Sequence, residues 1–316
     1  MSASKDRLLW ADVPARGRAV VEELVRGRII DARNCAGGFS PGFASRLVLA
    51  DGRRVFVKAM DALAWPAEAE SQRTEAEVAA ALPPEVPAPR FLGSVDDEQW
   101  IALAFEDIDG AEPARPWRRD QLDRVLGAAT RLAPVRVPLR SDHPRLGGWA
   151  EIAGDSVAGL RELHPWAADS LARLVELEAE GMAAAEGTGL VHFDLYPHNI
   201  LLTPERTVFV DWPHARVGSP LVDLVLLLSC AAGDGIDPEP LLSCHAPGAE
   251  SERGSVTAIL AAHAGFLLAG GLAPAPPGLE AIGAAKLELA RGALVWLRSR
   301  LADDGQRLSY RHGRHR

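Results

Sequence analysis

The sequence predicts an α+β fold in two parts: a small antiparallel sheet lobe with one inserted helix, then a larger, mostly helical lobe. Three observations carry this. At 316 residues the chain exceeds one typical domain, and 47% hydrophobic residues supply a sizeable core. Short β-like runs broken by Gly, Pro and Asp fill residues 27–105. Ala- and Leu-rich helical periodicity dominates beyond Trp117. The boundaries that follow are a first lobe over 1–105, a hinge over 106–110, a second lobe over 111–308 and a basic tail over 309–316. That tail has no apolar anchor and is expected to lack ordered structure.

The first lobe opens with a helix over 14–26, where Val21, Leu24 and Val25 share a face. A strand over 28–33 leads into the glycine-bearing segment Gly37-Gly38-Phe39-Ser40-Pro41-Gly42. Strands over 43–49 and 54–60 flank the Ala50-Asp51-Gly52 turn, a hairpin signal. Pro66 starts a helix that runs to Leu82, since proline suits a first helical turn, and the proline-rich stretch 83–89 ends it. Strands over 91–95 and 99–105 complete a five-stranded sheet. In the second lobe, apolar spacing predicts helices over 118–132, 165–180, 221–232, 255–268 and 279–301.

Charge and composition exclude several classes. A net charge of −9 and a pI near 5.5 argue against a nucleic-acid partner, which asks for a basic face. The three cysteines are scattered and form no C-x-x-C pair, so neither a zinc site nor a disulfide framework is expected. The first ten residues have no apolar signal core, and the most apolar run, 221–232, contains Asp223 and is too short for a membrane span. The expectation is a cytoplasmic chain without a membrane partner. Its oligomeric state is left open.

The informative segment is Val191-His192-Phe193-Asp194-Leu195-Tyr196-Pro197-His198-Asn199, followed by Val208-Phe209-Val210-Asp211-Trp212. It reads H-x-D-x-x-x-x-N, then a strand ending in Asp. The chain has only two Asn, which makes a chance match improbable. Short apolar runs over 200–202 and 207–210 flank the turn Thr203-Pro204-Glu205-Arg206, so a hairpin is expected to bring Asp194, Asn199 and Asp211 to one end. Two carboxylates and an amide oxygen are hard ligands that suit Mg²⁺.

This constellation resembles the catalytic and metal-binding loops of the protein-kinase-like phosphotransferases, and more closely those of the aminoglycoside phosphotransferase family. The continuation from Asp211 through Gly218, Pro220 and Asp223 to Leu224 resembles the family's D-W-x-x-A-x-x-G-x-P-x-x-D-L run. The resemblance implies a protein-kinase-like bilobal fold in which the first lobe binds nucleotide and the second binds the acceptor. It assigns Asp194 to the acceptor hydroxyl as catalytic residue and Asn199 and Asp211 to magnesium. His192 becomes a buried scaffold residue, and Asp223 an anchor that caps backbone N–H groups at a helix start.

Taken alone, Lys58 on an apolar strand reads as a solvated edge residue. The resemblance makes it the cation on the α- and β-phosphates, partnered by a glutamate of the following helix. The family's E-A-x-V spacing favours Glu75, with Glu77 as its rival. Gly38, Ser40 and Gly42 become a phosphate lid, a reading that their position ahead of Lys58 supports. The connection holding Phe105, Glu106 and Ile108 becomes the hinge whose backbone reads the nucleotide base.

The function implied is ATP-dependent (or GTP-dependent) transfer of a γ-phosphoryl group, with Mg²⁺, to a hydroxyl of a small molecule, such as an aminoglycoside or related natural product. The alternatives are a Ser/Thr protein kinase-like enzyme and a catalytically silent nucleotide-binding module. Against the first, Trp212-Pro213 replaces Phe-Gly after Asp211, and Gly218-Ser219-Pro220 follows too soon to leave a peptide-presenting loop. Against the second, Lys58, Asp194, Asn199 and Asp211 are all present. Acidic residues such as Asp142 and Glu151 read as solvated charges rather than substrate ligands.

Overall fold

The computed structural model describes residues 8–35, 42–142, 145–274 and 281–313, with backbone alone beyond residue 302. The chain forms two compact units. One comprises Met1–Pro113 with Pro197–Ala215, the other Ala114–Tyr196 with Arg216–Arg316.

In the first unit, α1 (Ala15–Val25) precedes β1 (Ile29–Asn34), β2 (Phe43–Leu49) and β3 (Arg54–Asp61). Then come α2 (Pro66–Ala81), β4 (Phe91–Asp96) and β5 (Trp100–Glu106). The strands pair antiparallel in the order β1-β2-β3-β5-β4. Strand alternation gives each face its own core. Leu47, Val55, Val57, Ala102 and Ala104 pack with Val20, Val21 and Val25 of α1. Met60, Ile101, Leu103 and Phe105 pack with Ala69 of α2. Gly52, at φ +85, permits the tight turn between β2 and β3.

The second unit begins with α3 (Arg119–Thr130), then α4 (Trp149–Asp155), α5 (Val157–Leu163), α6 (Pro165–Asp169), α7 (Leu171–Ala184) and β6 (Gly189–Val191). After β6 the chain returns to the first unit for the hairpin β7 (Ile200–Leu202) and β8 (Thr207–Phe209). It re-enters the second unit at β9 (Arg216–Gly218), which pairs antiparallel with β6. The remaining helices are α8 (Leu221–Gly233), α9 (Pro238–Ser243), α10 (Ala246–Ala249), α11 (Arg253–Leu272) and α12 (Ala281–Gly313). Helix α11 is the core of this unit and packs on α7 and α12. Its approach to α7 is close enough that a Cβ at Gly181 would strike the Ala258 carbonyl. Among the described residues, α11 is the one helix long and apolar enough to cross a membrane, and 72% of its apolar window is buried in the fold.

Several elements differ from the sequence reading. The helix expected over 165–180 is broken at Ser170, whose φ of −97 and ψ of 5 leave the helical ladder and separate α6 from α7. The short helices α4 and α5 were not anticipated, because seven residues hold too few turns for an apolar period to register. The basic tail expected to be unstructured from 309 is helical to Gly313. Buried Ala290, Ala293, Leu294 and Leu297 anchor α12, and extending an existing helix costs far less than nucleating one. The β7–β8 hairpin, placed by sequence in the second lobe, belongs to the first unit. Ala111 and Leu202 exchange backbone hydrogen bonds of 3.1 and 2.8 Å, and Phe209 N–H donates to the Pro87 carbonyl at 2.6 Å.

Candidate active site

Lys58 lies on the face of β3 opposite α1, and its ammonium is shared by two carboxylates. Nζ donates to both oxygens of Glu75 at 2.8 Å and to Asp211 Oδ1 at 2.7 Å. Burial alone would lower its pKa, but the carboxylates of Asp211 and Glu75 outweigh burial and raise it. Burial raises the pKa of Glu75, against the pull of Lys58. Of the two glutamates that the resemblance offers, Glu75 points inward. Glu77, two positions on and so on the other side of α2, is exposed.

The hairpin brings Asn199 and Asp211 together. Asn199 leads into β7 and is 3% exposed, Asp211 follows β8, and Val210 N–H donates to the Asn199 carbonyl at 2.9 Å. Both side chains therefore belong to the same end of the hairpin. Asp211 adopts φ +68, a left-handed conformation that costs a non-glycine residue energy. One carboxylate and one carboxamide form a hard-oxygen pair of the kind that could hold a divalent cation such as magnesium. No group of three or more His, Cys, Asp or Glu side chains of metal-site type occurs among the described residues.

Asp194 belongs to the second unit. Its loop hangs from Asp223, whose two carboxylate oxygens accept from the backbone N–H groups of His192 at 2.7 Å and Phe193 at 2.9 Å. The anchor role expected of Asp223 is therefore corrected in one respect: it caps this loop rather than the start of its own helix α8. Burial pushes Asp223 up to about 7, the two N–H donors work against burial, and the charge of Asp194 adds to it. Phe193 takes φ +64. His192 is fully buried, and its Nδ1 accepts from Asp194 N–H at 3.3 Å.

The Asp194 carboxylate pairs with Arg145, whose guanidinium reaches Oδ1 at 2.9 Å. Spacing could not reveal Arg145, because it stands in an irregular segment far along the chain from Asp194.

Behind the loop, Tyr196 Oη lies 3.3 Å from His263 Nε2, and the two rings stack. Burial, helped by Arg145, pushes His263 down to about 3 from an ordinary 6.5. The native state thus keeps a neutral imidazole that the unfolded chain would protonate. This contribution to stability is complete above pH 6.5 and is lost as pH falls, at up to about 1.4 kcal/mol per pH unit. Melting temperatures measured between pH 7 and 5 should fall less steeply for His263→Gln than for the parent. Equal slopes would count against a neutral native imidazole.

The remaining expected residues are less telling. Gly38 and Ser40 lie outside the described residues. Gly42 is glycine because β3 passes beside it: a Cβ there would sit 2.6 Å from the Ala59 carbonyl. Phe105 and Ile108 are buried, with the Phe105 ring against Phe91. Glu106 directs its carboxylate to Arg206. Asp107, 4% exposed, binds both Arg46 and Arg54, and these three line a cavity of about 220 Å³ with Arg33, Leu47, Val48 and Asp109.

Choline kinase LicA from Streptococcus pneumoniae is 12% identical, with 88% of this chain and 99% of that chain covered at a TM-score of 0.61. A choline/ethanolamine kinase family protein from Mesorhizobium loti is 18% identical, with 90% and 98% covered at 0.53. The ternary complex of APH(2″)-IIa with streptomycin and ATP is 14% identical, with 90% and 98% covered at 0.50. These likenesses show a kinase-like fold. No curated protein sequence matches the chain. A family model described as the phosphotransferase enzyme family (APH) matches residues 32–244, well over half of the chain. The chain therefore belongs to that phosphotransferase family.

Proposed function

We propose that the chain moves the γ-phosphoryl group of ATP to a hydroxyl of a small molecule. The observation that carries this reading is the Lys58 ammonium held between Glu75 and Asp211, with Asn199 at the same hairpin end as Asp211. Phosphoryl transfer asks a protein for positioning and charge neutralisation more than for covalent chemistry. Lys58, oriented by Glu75, is suited to the inner phosphates. Asn199 and Asp211 would hold magnesium, which supplies positive charge to the terminal phosphates when bound. Asp194 orients the acceptor hydroxyl and takes its proton. The names of the structural neighbours support a small alcohol as acceptor and ATP as donor. So does the short path from Asp211 to α8, which holds only β9.

The test is ADP formation, followed by a coupled assay across aminoglycosides, amino alcohols, nucleosides and macrolides. Lys58→Met should lower turnover by about 10²-fold or more, and Asn199→Ala should raise the magnesium concentration needed for half-maximal rate. Unchanged turnover in Lys58→Met would remove the lysine from the mechanism.

A further inference from the structure

Two cations of its own unit lie near Asp194, beside the buried carboxylate of Asp223. Arg145 is bonded to Asp194, and Lys286 of α12 is close enough that both Arg145 and Asp194 act on its titration. Both cations lie over one ring: the Arg145 guanidinium carbon is 5.6 Å, and Lys286 Nζ 4.7 Å, from the centroid of Phe266. Gly270 of α11 makes room for the ammonium, since a Cβ there would collide with Lys286 Nζ. Among the described residues, no carboxylate forms an ion pair with Lys286. Arg145 Nε is buried without a hydrogen-bond partner. Burial and Arg145 both lower the pKa of Lys286, the mark of a cation short of counter-charge.

Two half-buried cations thus share one aromatic face, and of the two only Arg145 is ion-paired with a carboxylate among the described residues. A cationic acceptor would meet repulsion here and would have to compete with Arg145 for Asp194. A compact anion would neutralise Lys286 and draw the Arg145 guanidinium toward itself.

We propose that Arg145 and Lys286 bind an anionic group, a carboxylate or phosphate, on the acceptor whose hydroxyl is presented to Asp194. This rests on the phosphotransferase reading above and specifies its acceptor. In the reaction, the acceptor oxygen forms a bond to the γ-phosphorus of ATP, and the bond from that phosphorus to the β,γ-bridging oxygen breaks. ADP leaves with the electron pair, and the hydroxyl proton passes to Asp194 and on to solvent.

The test uses the full-length chain and four matched acceptors: glycerol, glycerate, glycerol 3-phosphate and ethanolamine. ADP formation is measured for each, and calorimetric binding is measured in the presence of a non-hydrolysable ATP analogue. The expected result is that glycerate or glycerol 3-phosphate binds and reacts at least about tenfold better than glycerol, with ethanolamine weakest. The carboxylate and phosphate arms identify which anion fits. Lys286→Glu should reverse the ratio of anionic to ethanolamine kcat/KM, a ratio independent of the fraction of enzyme that is folded. Ethanolamine outperforming both anions, no anion binding by calorimetry, or a ratio unmoved by Lys286→Glu would overturn the proposal. ADP formed on ethanolamine alone would sink only this inference. Failure of the ATP analogue to bind would sink the phosphotransferase reading instead.

Discussion

Asp194→Asn should lower phosphoryl transfer by about 10²–10⁴-fold, the range that a positioned acid–base group contributes. The carboxamide keeps the shape of the side chain and an oxygen for Arg145, but it cannot take the acceptor proton. Nucleotide binding should survive, because Lys58, Glu75, Asn199 and Asp211 lie in the other unit and are untouched. The measurement is kcat by coupled ADP release beside Kd for ATP by calorimetry. A variant retaining a tenth or more of the parent kcat would remove Asp194 from proton transfer. A variant that loses ATP affinity would show that Asp194 acts on the donor rather than the acceptor.

Asp223→Ala should be the most damaging substitution away from the reacting atoms. It leaves the N–H groups of His192 and Phe193 buried without an acceptor, at a cost of about 1–3 kcal/mol each. The same loss frees the loop that aims Asp194, so turnover should collapse with stability. Asp223→Asn offers one oxygen in place of two and should fall between the parent and the alanine variant. Urea denaturation midpoints set beside kcat check both effects. An alanine variant with an unchanged midpoint would show that the loop finds other acceptors and that Asp223 is not its anchor.

Legibility in the sequence followed the range of the interaction that fixes each feature. The five strands and α2 could be read because their signals are local: short apolar runs broken by Gly, Pro and Asp, the Asp51-Gly52 turn and Pro66 at a helix start. The residues from His192 to Asp211 could be read because their spacing is itself the pattern. The choice of Glu75 over Glu77 came from the resemblance to the family's E-A-x-V pattern and has a plain geometric cause, since two residues turn a helix to its opposite side. Arg145, Lys286 and Phe266 could not be read. Each sits on a different segment, and only tertiary packing gathers them beside Asp194. The ownership of the β7–β8 hairpin was equally hidden, because it is set by hydrogen bonds to Pro87 and Ala111 far away in sequence.

Two acidic groups share a single ammonium where Glu75, Asp211 and Lys58 meet, so with both acids ionised the trio carries one surplus negative charge. A naked polyphosphate tail would be repelled by that surplus. On the reading proposed above, a donor whose tail is already neutralised should therefore be received more readily than the same molecule stripped of its counter-ion.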